Sequence, residues 1–512
     1  MNFETYPWSI TFGLETEVGI SVLENPDADV VEESIQLVRC AATVGSPHLW
    51  DYSHEDPHQD ARGFRARELR QDTDEAGFFH QDQQRHYTFE EIKSDFVLRN
   101  GARFYNDHTH PEYSTPECAT LADLVAQDKA GERILEQCAK VASQERKQTV
   151  RLYKNNTDFC GHSYGCHENY LLSRMIPWAR LVDGMTPFLV TRQIFTGAGK
   201  VGWESEDRSL HGGYQISQRA DFFSELVGID TMNRRPLINT RDEPHADSAK
   251  YRRFHVIIGD ANLSEFSTWL KVGTTALTLE AFGKESLPDR FQLANPLEAH
   301  QSISRDTTHA WKVKLMKGQN SSAVDLQRRF TEWVEPRVNL DHPEKRSVME
   351  AWKNTLEILS EDPMKLQTKL DWVAKWCMLN MFRQEQNLGW EDPWLQSLDL
   401  EYHLLDRSNG LFYALEQGNQ IDRLLTEERI IEAVQEPPKH SRAYVRGKIV
   451  QKFARSLHAA QWDYVSLKHE GQIFKLDLSR AFPGAGLEHL IAAVDQASTT
   501  SDLIRSLELK AD

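Results

Sequence analysis

Residues 100–117 read NGARFYNDHTHPEYSTPE, and no other stretch of the 512-residue chain packs so many metal-capable and proton-transferring side chains into so short a length. If residues 102–107 form a strand, the two-residue alternation of side chains puts Arg103, Tyr105 and Asp107 on one face and Phe104 and Asn106 on the other. A cation, a phenol and a carboxylate would then share a surface. Pro111 has a fixed φ and no N–H, so the strand is expected to break there, leaving Glu112 and the Ser114-Thr115 pair on the turn beyond it. Such a rim suits a phosphate or a metal ion. A polar edge strand with surface histidines is the alternative.

Three further segments add to this set. In SITFGLETEVGIS, residues 9–21, a strand puts Thr11, Gly13, Glu15 and Glu17 on one face. Two carboxylates at i and i+2 repel unless a cation lies between them, so the face reads either as solvated or as a divalent-metal site with oxygen ligands, Gly13 leaving room for a ligand. In HENYLL, His167 and Asn169 share a face if the segment is extended; in RRFHVII, Arg253, His255 and Ile257 do. Arginine suits phosphate and histidine suits metal, although an internal salt bridge would serve either residue. Glu15, Tyr105, Glu112, His167 and His255 are hard or borderline ligands suited to Mg²⁺ or Mn²⁺. Asp107 has no basic neighbour in sequence to claim it. TGAGKVG, residues 196–202, matches neither GxxxxGK[ST] nor GxGxxG.

Length and composition frame these motifs. A chain of 512 residues exceeds one ordinary domain, so a large core domain with a smaller companion is expected. The formal net charge of −18 argues against bulk binding of nucleic acid or anionic membrane. No run of eighteen apolar residues and no signal-like N-terminus is present, which points to a soluble, cytoplasmic protein. Six cysteines lack CxxC spacing and read as reduced thiols. Helical patterning covers about 30–44, 121–143, 267–282 and much of the chain to about 415. Residues 46–94 are polar and aperiodic, and lead directly into the strand carrying Asp107, so a lid or substrate-contacting loop is expected there. Pro437-Pro438 marks a boundary, giving 1–436 as the catalytic domain and 437–512 as a small α+β domain.

The motifs GLETEVGIS, NGARFYNDHTHPEYSTPE, YKNNTDFCGHSYGCHENY, PFLVTRQIFTGAGKVG, QISQRADFF, INTRDEPHADSAKYRRFHVIIGDANLSE and LKVGTTAL resemble, in collinear order from about Phe12 to about Lys468, the Pup ligase/Pup deamidase (PafA/Dop) family. The resemblance implies the α+β carboxylate-amine ligase fold of glutamine synthetase and γ-glutamylcysteine ligase, a curved, mainly antiparallel sheet with helices that cradles Mg-ATP. By matching motif it implies metal binding at Glu15, Tyr105, Glu112, His167 and His255. Nucleotide contacts are implied at Gly13, Leu14, Glu15, Thr16, Glu17, Arg103, Tyr105, Ser114, Asn169, Arg253 and Trp462, and the catalytic aspartate at Asp107. The DHTHPEY form and the insertion around residues 49–64 resemble the depupylase branch, whereas GCHENY and GAGKVG look slightly more like the ligase. The implied activity is hydrolysis of the side-chain amide or isopeptide at the C-terminal Gln or Glu of Pup, or a Pup-like modifier, releasing it from substrate lysines, with Mg-ATP as cofactor and a functional link to a bacterial proteasome. Pup ligation with ATP hydrolysis is the alternative. LSRAFPGAGLEHL near the C-terminus departs from the family's tail. Pup is acidic in the family, so the basic 439–455 helix and Arg234-Arg235 are the expected docking surfaces, with charge reversal at Arg442 and Arg446 expected to weaken binding.

Overall fold

The computed structural model describes residues 7–44, 48–52, 55–69, 87–204, 210–484 and 486–511. Seven strands form the central sheet: β1 (Phe12–Glu17), β2 (His48–Leu49), β3 (Phe96–Val97), β4 (Arg103–Asp107), β5 (His110–Ser114), β6 (Cys166–Ser173) and β7 (Tyr251–Val256). Their order is β7-β6-β1-β5-β4-β3-β2, and every pairing is antiparallel. The class expected from the sequence, α+β with a mainly antiparallel sheet and covering helices, is the one found.

The alternation that built the expectation is visible in the burial of the strands: along β1, Phe12, Leu14 and Thr16 are buried while Gly13, Glu15 and Glu17 are half-buried. Phe12, Phe104, Tyr170 and Phe254 point to the back of the sheet and are 0–2% exposed, each such ring contributing about 2–3 kcal/mol by its burial. Helices Val30–Arg39 and Leu121–Arg146 cover that back face, with Glu265–Phe282 packed behind. Their starts are fixed by side-chain caps: Asp29, Thr120 and Ser264 each accept from a backbone amide of the first turn. At Gly131 the second helix meets the sheet so closely that a Cβ would lie 2.4 Å from the Tyr113 ring.

Two expectations about the opening stretch and its surroundings need correction. Pro111 does not end a strand: it lies inside β5, and the chain reverses earlier, at His108-Thr109, where His108 takes φ 54°. The Pro111 carbonyl faces β1 and accepts from the Val18 amide at 3.0 Å, so the missing N–H also faces β1 and no bond to β4 is lost. Glu112 and Ser114 therefore stand on a strand and not on a turn. The described part of residues 46–94 also carries more secondary structure than its composition suggests. It holds β2, a Gln59–Asp60/Phe64–Arg65 hairpin and a helix at Phe89–Lys93; positions 45–47, 53–54 and 70–86 lie outside the described residues.

A second hydrophobic cluster gathers Val445, Ile449, Val465, Leu467, Leu476 and Leu503 around Trp50 and Val97 from the sheet's edge. The helix Arg442–Lys452 beside it corrects the docking expectation. Arg442 and Arg446 are 4% and 0% exposed, and both are ion-paired to Glu117, Arg442 at 2.6 Å. They are internal clamps and offer no face to a partner. Burial pushes the Glu117 pKa up, but the two guanidinium groups outweigh it and hold the carboxyl below its usual range. Glu117→Gln leaves two buried arginines without their anion and is expected to cost about 3–5 kcal/mol, read as a fall in the denaturant midpoint; an unchanged midpoint would show the clamp to be idle. Among the described residues no helix is long and apolar enough to cross a membrane.

Candidate active site

Strand register assembles the site. Glu15 lies opposite His167 on β6 and Ser114 on β5; Glu17 lies opposite Glu112, and Glu112 opposite Tyr105 on β4. On the other flank Asn169 lies opposite His255, and Leu171 opposite Arg253. Residues directly opposite in an antiparallel pair share a face, so side chains from five strands converge on the front of the sheet. They line an open cleft. A smaller, more apolar pocket adjoins it, covered by Trp462 and Phe482, and shares Glu15, Ser114, His245, Arg253 and Trp462 with the cleft.

Two groups in the cleft could hold a metal ion. Glu15, His167 and His255 present ligand atoms within 4.8 Å of one another, as do Glu17, Asp107 and Glu112. In the first, His167 Nδ1 is 3.2 Å and His255 Nε2 3.6 Å from Glu15 Oε2. His255 is 2% exposed, yet neither ring nitrogen has a hydrogen-bond partner among the described residues. Burial, with the nearby Arg253 charge, drives its pKa well below the usual imidazole range, so it is a neutral base with one open nitrogen lone pair. Such an orphan fits a cation. This nitrogen-rich group suits Mn²⁺ or a similar borderline ion, and the all-oxygen group suits Mg²⁺. In the second group burial and mutual repulsion raise Glu17 to about 7 and Glu112 well above the carboxylate range. Tyr105 is likewise pushed far up by burial and by Glu112, so it meets its neighbours as a neutral phenol. A divalent cation that binds here is expected to displace protons: calorimetric titration with Mg²⁺ at pH 7 in two buffers of different ionisation enthalpy should give different apparent heats, and equal heats would contradict it.

Asp107 is not the unclaimed carboxylate that the sequence suggests. Lys93, from the short helix that closes the 46–94 insertion, donates to Asp107 Oδ1 at 2.7 Å and sits 5.4 Å from the ring centroids of both Tyr52 and Tyr105. Desolvation in the cleft raises the Asp107 pKa, but the Lys93 charge outweighs it and leaves the acid well below its usual range. The carboxylate is therefore ionised throughout the neutral range, and any function of the anion persists down to that lowered pKa. Lys93→Met removes the opposing charge, so the acid limb of the pH–rate profile is expected to move to higher pH; an unmoved limb would separate Lys93 from Asp107's ionisation.

The other expected residues divide by face and by partner. Leu14 and Thr16 are 2% and 5% exposed because the alternation turns their side chains into the core, and Leu14 still lines the smaller pocket. Gly13 stays open on the site face, and Ser114 Oγ donates to Glu112 Oε1 at 3.3 Å. Arg103 lines the cleft, but Asp95 holds it at 2.7 and 2.9 Å and Glu55 at 3.0 Å, with its guanidinium 3.9 Å from the Tyr105 centroid. Its charge is spent within the protein. Arg253 Nη1 donates to Glu15 at 3.3 Å and Asn169 at 3.2 Å, with Glu243 3.5 Å away. Trp462 reaches the rim from the C-terminal unit, edge-on to Trp50 at 4.6 Å. Sequence reading missed Lys93, Glu243, Arg219 and Arg241. Each lies outside a periodic pattern on the sheet, and the polar run holding Lys93 gave no signal beyond its proximity to Asp107.

The fold is shared with solved Pup ligases. The chain is similar to one of them in complex with Pup, with 31% identity and a TM-score of 0.76 over 97% of this chain and 95% of that one. It is also similar to a Pup ligase in complex with ADP, with 33% identity and a TM-score of 0.70 over 87% and 96%. The chain belongs to the Pup-ligase protein family, which it matches over residues 11–466. It is 42% identical to the depupylase of Acidothermus cellulolyticus over 507 residues, 97% of this chain and 98% of the relative. It is also 42% identical to the Pup–protein ligase of Acidimicrobium ferrooxidans, over 391 residues, 74% and 85% of the two.

Proposed function

We propose that the protein hydrolyses the side-chain amide or isopeptide bond at the C-terminal Gln or Glu of Pup or a Pup-like modifier, releasing it from substrate lysines, with Mg-ATP, or ADP plus phosphate, as cofactor. The observation that carries this reading is Asp107: an ionised carboxylate at the tip of β4, 38% exposed to the cleft, held by Lys93 from the insertion. Tyr52 and Glu55 of the same insertion line the cleft as well. The reading is further supported by the depupylase relative matching nearly the whole chain and the ligase relative 74% of it. In this reading residues 1–436 form the catalytic unit and 437–512 its cover.

An amide is a poor electrophile with a poor leaving group, so the site must supply a basic oxygen, charge stabilisation and a proton. Asp107 supplies the oxygen, attacking the carbonyl carbon itself or taking the proton of the attacking water. Lys93 keeps that oxygen ionised and oriented. The apolar pocket under Trp462 and Phe482 offers aromatic cover for a nucleobase, and Arg253, which lines both this pocket and the cleft and donates to Asn169, stands where phosphates would follow. A divalent cation held by the carboxylates and histidines of the sheet front would supply positive charge and Lewis acidity against the developing oxyanion.

The deciding experiment incubates the purified protein with Mg-ATP and a modifier linked to a lysine substrate, following conjugate size and ADP together. Loss of conjugate with far less than one ADP per bond is expected. Growth of conjugate from free modifier and substrate, at one ADP per bond, would replace this reading with ligation.

A further inference from the structure

The segment YKNNTDFCGHSYG, residues 153–165, reaches the cleft through Ser163 and Gly165 alone, yet its conformation is heavily constrained. Asn155, Asn156 and Thr157 are 0–1% exposed. Asn156 accepts from the Ala261 amide at 2.7 Å and donates to the Tyr164 carbonyl at 3.1 Å, Asn155 donates to the Thr157 carbonyl at 2.7 Å, and Thr157 Oγ1 donates to Glu204 at 3.0 Å. The chain then turns around Asp158, whose carboxylate accepts from the amides of Cys160 and His162 at 2.7 and 3.0 Å. That turn sets Phe159 at φ 60° and Gly161 at φ 97°. A bulky side chain in the left-handed region is strained and persists only where its surroundings hold it.

What the turn achieves is a wall. Phe159 and Tyr164 line a second recess, together with Ile20 and Tyr153 from the antiparallel pair Gly19–Val22/Val150–Tyr153 and Leu400 from the helix Pro393–Tyr402. His110, Ser163 and Arg235 line both this recess and the cleft, so the two are continuous. The junction lies beside Asp107: His110 is its partner in the β4–β5 register, and the His110 ring stacks on Tyr164 with centroids 4.5 Å apart. None of the five residues that the smaller pocket shares with the cleft lines the recess, so the cleft gives onto two separate chambers. Ser21 and Asp158 also line the recess and are exposed, which opens it to solvent.

An isopeptide makes a matching demand. Its leaving amine carries the four methylenes of a lysine, an apolar stem that must run from the scissile bond to the surface where the substrate protein begins. A primary amide has no such stem. We propose that the recess holds the stem of the substrate lysine against Phe159, Tyr164 and Leu400, presenting the bond to Asp107 from a side that the nucleotide pocket does not share. The inference rests on the amidase reading above.

The probes are Pup ending in glutamine and Pup whose C-terminal glutamate is joined to the lysine side chain of a short peptide, with ornithine and diaminobutyrate conjugates that shorten the stem by one and two methylenes. Affinity is followed by fluorescence anisotropy in Asp107→Asn protein, and kcat/KM in the parent by release of peptide or ammonia. Each methylene removed is expected to weaken binding about two- to fourfold, the burial of one CH₂ group. Leu400→Trp, which fills the recess, should lower kcat/KM for the lysine conjugate about 10- to 100-fold, the loss of that burial along the stem. Glutamine-ended Pup should stay within about twofold. Phe159→Gly, which removes a wall and suits the positive φ, should flatten the dependence on stem length. Equal slowing of both substrates by Leu400→Trp at an unchanged thermal midpoint would overturn the stem site and assign the recess to the modifier's own chain. Affinities that ignore stem length would overturn it as well. Because affinity is read without turnover, a parent that cleaves neither substrate, while Asp107→Asn protein binds the conjugates in order of stem length, would sink the amidase reading and leave the stem site standing.

Discussion

Asp107→Asn is expected to lower release of modifier from a lysine conjugate by about 10²–10⁴-fold, the usual contribution of a positioned acid–base or nucleophilic group. The substitution is nearly isosteric and changes one thing, the ionised oxygen that Lys93 orients at 2.7 Å. Stability should change little, because Asp107 sits at the end of β4 and half open to the cleft while the buried packing of that strand rests on Phe104. Nucleotide affinity should also persist, since the apolar pocket and Arg253 are untouched. Conjugate loss in a gel assay, with the thermal midpoint and ADP affinity as controls, checks all three. Full activity in a folded variant would remove Asp107 from the mechanism.

Glu15→Gln is expected to be nearly as damaging, for a different reason. The Glu15 carboxylate is the one anion shared by Arg253, His167 and His255, at 3.3, 3.2 and 3.6 Å. Burial pushes its pKa up, but the hydrogen bond from His167 and the Arg253 charge outweigh it and keep the group ionised below its usual range. The amide keeps the shape and loses the charge, so the histidine group loses its only anionic ligand and Arg253 retains Glu243 alone. Activity should fall about 10²–10³-fold, as when one preorganised charge contact is removed. The sharper readout is independent of turnover: Mn²⁺ or Mg²⁺ should raise the thermal midpoint of the parent protein and leave the variant's almost unmoved. Equal stabilisation of both proteins would place the cation elsewhere.

The cover over the nucleotide pocket explains why the C-terminal residues matter although they lie far from Asp107 in sequence. Glu117, three residues past the end of β5, receives Arg442 and Arg446. The same pair of contacts sets Trp462 over the pocket, with the Arg446 guanidinium 5.0 Å from its ring and donating to its carbonyl at 3.2 Å. A helix that reads as a basic surface in one dimension is thus an internal tie in three.

Much of the site's face could be read from the sequence alone. Side-chain direction in a strand is a local property with period two, so Arg103, Tyr105 and Asp107, Glu15 and Glu17, His167 and Asn169, and Arg253 and His255 had to share faces once each segment was extended. The motifs likewise carried the family. What only the tertiary structure decided was the register that sets Glu15 against His167 and Tyr105 against Glu112, and the partners arriving from outside the sheet: Lys93 on Asp107, Glu243 on Arg253, and Arg442 and Arg446 on Glu117. Register follows from hydrogen bonds between strands up to about 158 residues apart in sequence, as for Phe12 and Tyr170. Ion pairs are chosen by desolvation, which buries charges where an opposite one waits. Neither leaves a mark on local periodicity, which is why Pro111 reads as a break and Asp107 as unclaimed until the chain is folded.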